Sequence, residues 1–366
     1  LAAAATATDL ALDTAQAVAN GSFTIGPIAA SLGGGYFRTD GVSAAANGTE
    51  RDGYERYAAN GRVEIRLADN IAVDLRGWFD RGRTELDGYP PPFFAFTDTA
   101  EFSKIRELFG YAGVRATFGP LANRAAFTIG DVHRDNFDPA SGSGPGFVAR
   151  GRVERFEYQG DLAATDWARL VFGAESERSR FGDGFSTFRT GVDSAWGELI
   201  VKPWTRLTLT AGIRHDDHCD YGGHTTFGGN AALDLGTAIV RASYAEGFKA
   251  PTLFQLRSDF GNPALRPETA RSYDVGVEQK LIGNGLSASL TYFRRRTRNQ
   301  IDFAVRRYEN VARSRASGVE AALDLRPAEA LRINAAWTYV DAENRTAGSP
   351  DFGKALLRRP QSSFAL

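Results

Sequence analysis

The chain is built on alternation. Val63, Ile65 and Leu67 interleave with Arg62, Glu64 and Arg66, and after Asp69-Asn70 the set Ile71, Val73 and Leu75 interleaves with Asp74 and Arg76. Strict period two puts all apolar side chains of a segment on one face and its charges on the other, the mark of a strand wet on one side only. The pattern returns far downstream. Leu207, Leu209, Ala211 and Ile213 oppose Thr208, Thr210 and Arg214, while Val319, Ala321, Leu323 and Leu325 oppose Glu320, Asp324 and Arg326. Leu331, Ile333, Ala335, Trp337 and Tyr339 oppose Arg332 and Asn334.

The connections alternate in length too. Short turns are predicted near residue 69 and at 119–123, 164–166, 203–205, 283–285 and 327–330. Between them come longer loops at 40–53, 87–104, 138–147, 250–267 and 345–357. Many intervening strands exceed ten residues. This combination predicts an all-β fold, a transmembrane antiparallel β-barrel, with about seventeen strands in the chain. A soluble sandwich has shorter strands and no such alternation of loops.

At the N-terminal end, residues 9–18 read either as a short helix or as an irregular first strand turning at Asn20-Gly21. Residues 23–39 read as one glycine-rich strand. Downstream, a strand ends before Pro251, a loop carries Asn262-Pro263 and Arg266-Pro267, and a new strand runs from Thr269 to Leu281.

Composition sharpens this reading at few points. Mean hydropathy is −0.30 and no apolar run is long enough for a spanning helix, so any membrane crossing falls to strands. The 43 basic and 44 acidic residues nearly cancel, which argues against a nucleic-acid partner. The single Cys219 excludes an intrachain disulfide framework. Glycine, at 40 residues, suits many turns, and aromatics such as Trp78, Phe79, Tyr111, Tyr158, Trp204, Tyr292 and Trp337 are placed to form girdles at the membrane interfaces. The chain has no initiator Met or leader, and it stops at Phe364-Ala365-Leu366 as a strand pattern begins. It is therefore expected to be a fragment.

Candidate chemistry is sparse. The polar cluster His215-Asp216-Asp217-His218 with His224 could suggest a metal site, but its spacing lacks the i, i+4 presentation of a helical site, and a solvated strand end is expected. The run Arg294-Arg295-Arg296-Thr297-Arg298 follows a strand and is expected to point partly into a wet lumen or loop. Ser141 to Gly146 is glycine-rich, yet no helix follows it to hold a phosphate.

Sequence words add a resemblance. Ser243-Tyr244-Ala245-Glu246-Gly247-Phe248-Lys249-Ala250-Pro251, then Gly261-Asn262-Pro263-Ala264-Leu265-Arg266-Pro267-Glu268, resembles TonB-dependent outer-membrane receptors, and among them the cobalamin receptors. Tyr308-Glu309-Asn310 and Ser317-Gly318-Val319-Glu320 follow in family order. The resemblance implies a twenty-two-stranded barrel around a plug, with an energy-coupling TonB box. Residues 1–366 would be a partial barrel domain, with plug and box upstream and closing strands downstream. It also implies a bacterial outer-membrane location and no bond chemistry, with three partners: cobalamin or a related metal chelate such as a siderophore, the TonB complex, and outer-membrane lipid. A passive porin and, behind it, an outer-membrane hydrolase are the alternatives.

The cobalamin receptors that the chain resembles bind calcium in their external loops. Thr49-Glu50-Arg51-Asp52-Gly53-Tyr54 resembles one calcium word, and the segments holding Asp87-Gly88 and Thr97-Asp98-Thr99 resemble its partner loop. Residue by residue, Glu50, Asp52, Asp87 and Asp98 match. A further family aspartate falls near Ser43, with Asp40 three positions away, and that departure bears on whether two ions are held.

Overall fold

A computed structural model of the chain describes residues 2–7, 13–46, 48–282, 285–304, 306–356 and 359–366. Among the described residues are eighteen strands in one antiparallel sheet and a single five-residue helix. The sequence pattern led to about seventeen strands; the difference arises at the N-terminal end. β1 (Ala2–Ala7) pairs with β2 (Ala15–Ile25). Asn20 and Gly21 lie inside β2, and the chain turns instead at Gly26-Pro27 into β3 (Ile28–Thr39). Gly26 has φ +54°, which a side chain disfavours, and Pro27 fixes the next φ for the turn. Residues 8–12 lie outside the described set, so the helix expected over 9–18 is answered only from Ala15 onward, where the chain is strand.

The first compact unit, residues 1–159 with 175–191, continues through β4 (Tyr54–Ala68), β5 (Ile71–Gly88), β6 (Thr97–Phe118) and β7 (Leu121–Phe137). Two-residue turns at 69–70 and 119–120 join these strands, the first where the pattern predicts it and the second shorter than the expected 119–123, since β7 begins at Leu121. The loop expected over 87–104 is shorter, because β5 and β6 stay paired as far as Gly88 and Thr97. After β8 (Pro145–Thr165), β9 (Ala168–Gly182) and β10 (Thr187–Trp204), the second unit, 160–174 with 192–366, carries the remaining strands. These are β11 (Leu207–His218), β12 (Gly222–Asp234), β13 (Ala238–Lys249), β14 (Glu268–Ile282), β15 (Leu286–Ala304), β16 (Arg307–Ala328), β17 (Leu331–Asn344) and β18 (Ser362–Ala365). Helix α1 (Leu253–Arg257) interrupts what the sequence presents as plain loop.

Burial is inverted relative to a water-soluble protein. In β5 Asp74 is 1% exposed while its neighbour Leu75 is 41% exposed, and Asp80 is buried beside exposed Phe79. In β11 Leu209 and Ile213 are exposed, whereas Thr208, Thr210 and Arg214 on the other face are half-buried and Asp216 is buried. Each sheet face thus has its expected composition, and the apolar one has no protein cover. The polar face is packed by ion pairs. Asp74 accepts from Arg62 Nε at 3.0 Å and from Arg76 Nη2 at 2.5 Å, and Arg56 grips Asp80. A buried carboxylate without such partners would cost several kcal/mol, so these arginines are what allow Asp74 to be there.

Candidate functional site

Three segments of the first unit meet at one end of the strands. The loop over 40–53 joins β3 to β4, and it folds against the last residues of β5 and the first of β6. Asp87 and Asp98 sit on those two strand ends. Ser43 joins them, its hydroxyl 3.0 Å from Asp87 Oδ2 and 2.9 Å from Asp98 Oδ1. One hydroxyl carries one proton, so it donates to a single carboxylate at a time. Backbone amides supply the rest. Ala45 N–H donates to Asp87 Oδ2 at 2.7 Å and Thr49 N–H to Asp98 Oδ2 at 2.6 Å. The loop can come this close because Gly48 has no side chain: a Cβ there would lie 1.9 Å from Ser43 Oγ and 2.1 Å from Asp98 Oδ1.

Glu50, Asp87 and Asp98 each present an oxygen, and these oxygens all lie within 4.8 Å of one another. Asp52 stands beside them. Its Oδ2 accepts the Ala44 N–H at 2.7 Å, and its Oδ1 is buried with no donor. Partial desolvation, followed by the charges of Asp98, Asp87, Asp52 and Glu85, raises the Glu50 pKa above its usual range. Desolvation also raises that of Asp52, with Asp87 and Asp98 adding to it against the Ala44 amide. Asp98 goes the other way, lowered chiefly by the Thr49 amide. Crowded carboxylates, one with an unmet buried oxygen, are matched to a hard cation that takes six to eight oxygens.

Of the four carboxylates singled out by the resemblance, the structure brings Glu50, Asp87 and Asp98 together with Asp52 adjoining, and it sets Ser43 between Asp87 and Asp98, a position the sequence did not indicate. Asp40, the nearby alternative, is turned away to Arg38 at 3.3 Å and Arg51 at 3.4 Å. Beneath the loop is a polar cleft of about 500 Å³, lined by Arg38, Arg51, Tyr54, Glu55, Arg83 and Glu85.

In the second unit the 250–267 segment forms a small ordered cap. Thr252 accepts from Gln255 N–H, and the Gln255 side chain accepts from Thr252 N–H, so α1 begins with a reciprocal capping box. Leu256 and Leu265 pack with Ile301 of β15, and Tyr308 of β16 closes over them. Asn262 Nδ2 donates to Tyr308 O at 3.0 Å, and Tyr221 reaches across to Leu265 O at 3.2 Å. The Asn-Pro and Tyr-Glu-Asn words are thus the two halves of one fastening.

Residues 215–224 do not assemble a metal centre among the described residues. An odd separation along a strand sends His215 and His218 to opposite faces: His215 meets Thr225 Oγ1 at 2.8 Å, while buried His218 accepts from the Asp220 amide at 3.1 Å. The arginine run also divides, Arg295 lying opposite Ser272 while Arg294 and Arg296 share the face of Tyr292.

With this geometry in place, the family model for "TonB dependent receptor-like, beta-barrel" matches residues 5–366. Solved structures with the same fold include the siderophore receptor PirA from Pseudomonas aeruginosa, 20% identical at a TM-score of 0.76, covering 91% of this chain and 63% of that one. The siderophore receptor PirA from Acinetobacter baumannii is 16% identical at a TM-score of 0.76, with 92% and 60% covered. A variant of the ferric enterobactin receptor PfeA from Pseudomonas aeruginosa, in complex with enterobactin, is 18% identical at 0.76, with 90% and 60% covered. The chain spans about three fifths of the length of these structures.

Proposed function

The chain belongs to the family of TonB-dependent receptor β-barrels, outer-membrane proteins of Gram-negative bacteria, and from this premise we propose that it forms the barrel of an importer for a corrinoid such as cobalamin or a related metal chelate such as a siderophore. The family is one of receptors and transporters rather than enzymes. On this reading the external loops capture a scarce ligand, and coupling to the TonB complex drives its import. The barrel performs no bond chemistry. Its polar face, held by pairs such as Arg62–Asp74, would offer a plug domain a charged and hydrogen-bonding wall.

The observation that carries the reading toward a corrinoid is the carboxylate cluster at 43–98. Calcium is the cation we assign to it. Glu50, Asp87 and Asp98 would supply three oxygens, Asp52 a fourth through its unmet Oδ1, and Ser43 Oγ lies among them. Calcium would offset the desolvation and the repulsion that together raise Glu50 and Asp52, and so order the loop over 40–53. A ligand docking on an ordered loop loses less conformational freedom.

The test is equilibrium binding of cyanocobalamin and of a ferric catecholate siderophore to the full-length receptor, each in calcium and in chelator. Tight cobalamin binding that weakens in chelator is expected. Tight siderophore binding with no cobalamin binding would replace the corrinoid by an iron chelate. Identical affinity in calcium and chelator would remove calcium from the proposal.

A further inference from the structure

On the second unit, β13 to β17 stand in register, so residues can be followed across five strands in rows. One row reads Ala242, Val275, Tyr292, Val319, Tyr339. It is apolar, and Val275, Tyr292 and Tyr339 on it are exposed, which marks the uncovered, lipid-facing side of the sheet. Two residues further along each strand, on the same face, the row becomes Tyr244, Tyr273, Arg294, Ser317, Asp341. The next is Glu246, Arg271, Arg296, Arg315, Glu343. Three guanidinium groups thus stand directly opposite one another on adjacent strands, an arrangement that is destabilising between like charges.

Few of these charges are answered. Arg271 Nε pairs with Glu246 Oε1 at 3.0 Å, but that carboxylate also accepts from Tyr244 at 2.7 Å. Among the described residues Arg294 reaches the Tyr273 hydroxyl, at 3.5 Å, and its Nε is buried with no acceptor. The Arg315 Nε is likewise buried with no acceptor. Arg271, Arg296 and Arg298 open onto a cleft of about 280 Å³ whose wall includes Glu246, Thr225 and His224.

Height along the strand matters as much as charge. At about 3.4 Å per residue, Arg294 lies roughly 7 Å and Arg296 roughly 14 Å beyond Tyr292. The tyrosines of the intermediate row occupy the level at which aromatic rings sit in a membrane interface. The arginines are therefore at headgroup height, directly above apolar side chains. They also lie at the end of β13 and β14 from which the long 250–267 segment leaves, the external end in outer-membrane barrels.

We propose that this face is a binding site for a phosphorylated lipid of the outer leaflet. Its phosphate would be held by Arg296, Arg298 and Arg315, with Arg294 below, and its acyl chains would lie along Val275, Tyr292 and Val319. Guanidinium forks match phosphate oxygens in pairs, and a single phosphate would offset the repulsion along the arginine row. The occupant is a lipid rather than a free anion because the charged rows continue, strand by strand, from the apolar band. This site rests on the membrane embedding of the strands and is independent of which chelate the receptor imports.

The experiment is native mass spectrometry of the full-length receptor in non-ionic detergent, titrated with a diphosphorylated glycolipid and with its dephosphorylated form. The wild type should retain the phosphorylated lipid, and the combined substitution Arg296→Gln, Arg298→Gln and Arg315→Gln should weaken it by about tenfold or more. Replacing the same three by Lys should keep most of the binding, and a mobility shift on boiling shows each variant folded. Equal retention by the Gln variant overturns the proposal, as does equal retention of the dephosphorylated lipid. Displacement of the lipid by equimolar inorganic phosphate would also overturn it, by showing a site for the free ion.

Discussion

Arg266 and Asn310 exchange two hydrogen bonds: the Arg266 amide donates to Asn310 Oδ1 at 2.8 Å, and Asn310 Nδ2 donates back to Arg266 O at 2.9 Å. The side chain thus stands in for the backbone of a neighbouring strand. The same Nδ2 donates to Asn299 O at 2.7 Å, and Asn299 Nδ2 reaches Pro267 O at 3.2 Å. A loop rich in proline cannot complete a ladder of its own, because each proline lacks the donor. Two asparagines supply what the ladder lacks, and they hold the 250–267 cap onto β15 and β16.

Removing the side chain should loosen the cap without unfolding the sheet. Asn310→Ala leaves Arg266 N–H and two carbonyls to find water, at a cost of about 1–3 kcal/mol. Asn310→Asp keeps the acceptor for Arg266 N–H but turns an anionic oxygen toward the Arg266 and Asn299 carbonyls, so it should loosen the cap at least as much as the alanine. Hydrogen exchange at the Arg266 and Tyr308 amides reads this directly. Unchanged protection in Asn310→Ala would show that the apolar contacts of Leu256 and Leu265 suffice alone.

A second prediction concerns the inverted faces. Spin labels at Leu209 and Thr210 of the membrane-inserted receptor should differ, with 209 quenched by a lipid-soluble agent and 210 shielded from it. Equal quenching at both, or the reverse order, would contradict the exposure seen at Leu209 and Ile213.

Much of this architecture was legible because alternation depends on strands alone. Val63 to Leu75 declares its faces whatever it packs against, and the two-residue turn at 69–70 needs no distant partner. Three features were not legible in that way. The continuation of β5 and β6 to Gly88 and Thr97 crosses Glu85, Asp87, Glu101 and Lys104, where charges occupy both faces and the pattern fades. Helix α1 is too short for a period of 3.6 to register, though its start was spelled out by Thr252 three residues before Gln255. The bridging position of Ser43 appears only once the 40–53 loop has closed, since a lone serine in a polar loop carries no signal of the carboxylates it will meet.

Ser43 also yields a prediction. In Ser43→Asp the hydroxyl that spans Asp87 and Asp98 is replaced by a further carboxylate. The affinity of the full-length receptor for calcium should rise, and the loop in chelator should be less protected than in the wild type, because added negative charge at a few ångströms is unfavourable until a cation arrives. Ser43→Ala should do neither and should only remove a hydrogen bond. Calorimetric titration with calcium distinguishes them. An Asp variant with unchanged or weakened calcium binding would mean that the cluster is held by its amide donors and not by a cation.

The last prediction is a pH dependence with two limbs. Glu50 and Asp52 have pKa values raised above their usual 4.5 and 3.8, so their protonated forms favour the closed loop. Their contribution to loop stability is complete below those usual values and is lost as pH rises through the raised ones. Asp98 is lowered from 3.8, so its contribution is present above that value and is lost as pH falls through the lowered one. In chelator, protection of the Ala45 and Thr49 amides, corrected for intrinsic exchange, should therefore increase as pH falls from neutral toward 4.5. It should decrease again once Asp98 protonates below 3.8. Calcium should reverse the first limb, because protons then compete with the ion for Glu50 and Asp52 and acidification opens what the ion had closed. Protection in chelator that declines steadily from neutral pH downward would mean that the repulsion among these carboxylates is already relieved by water and salt, and the case for a cation at this cluster would fall with it.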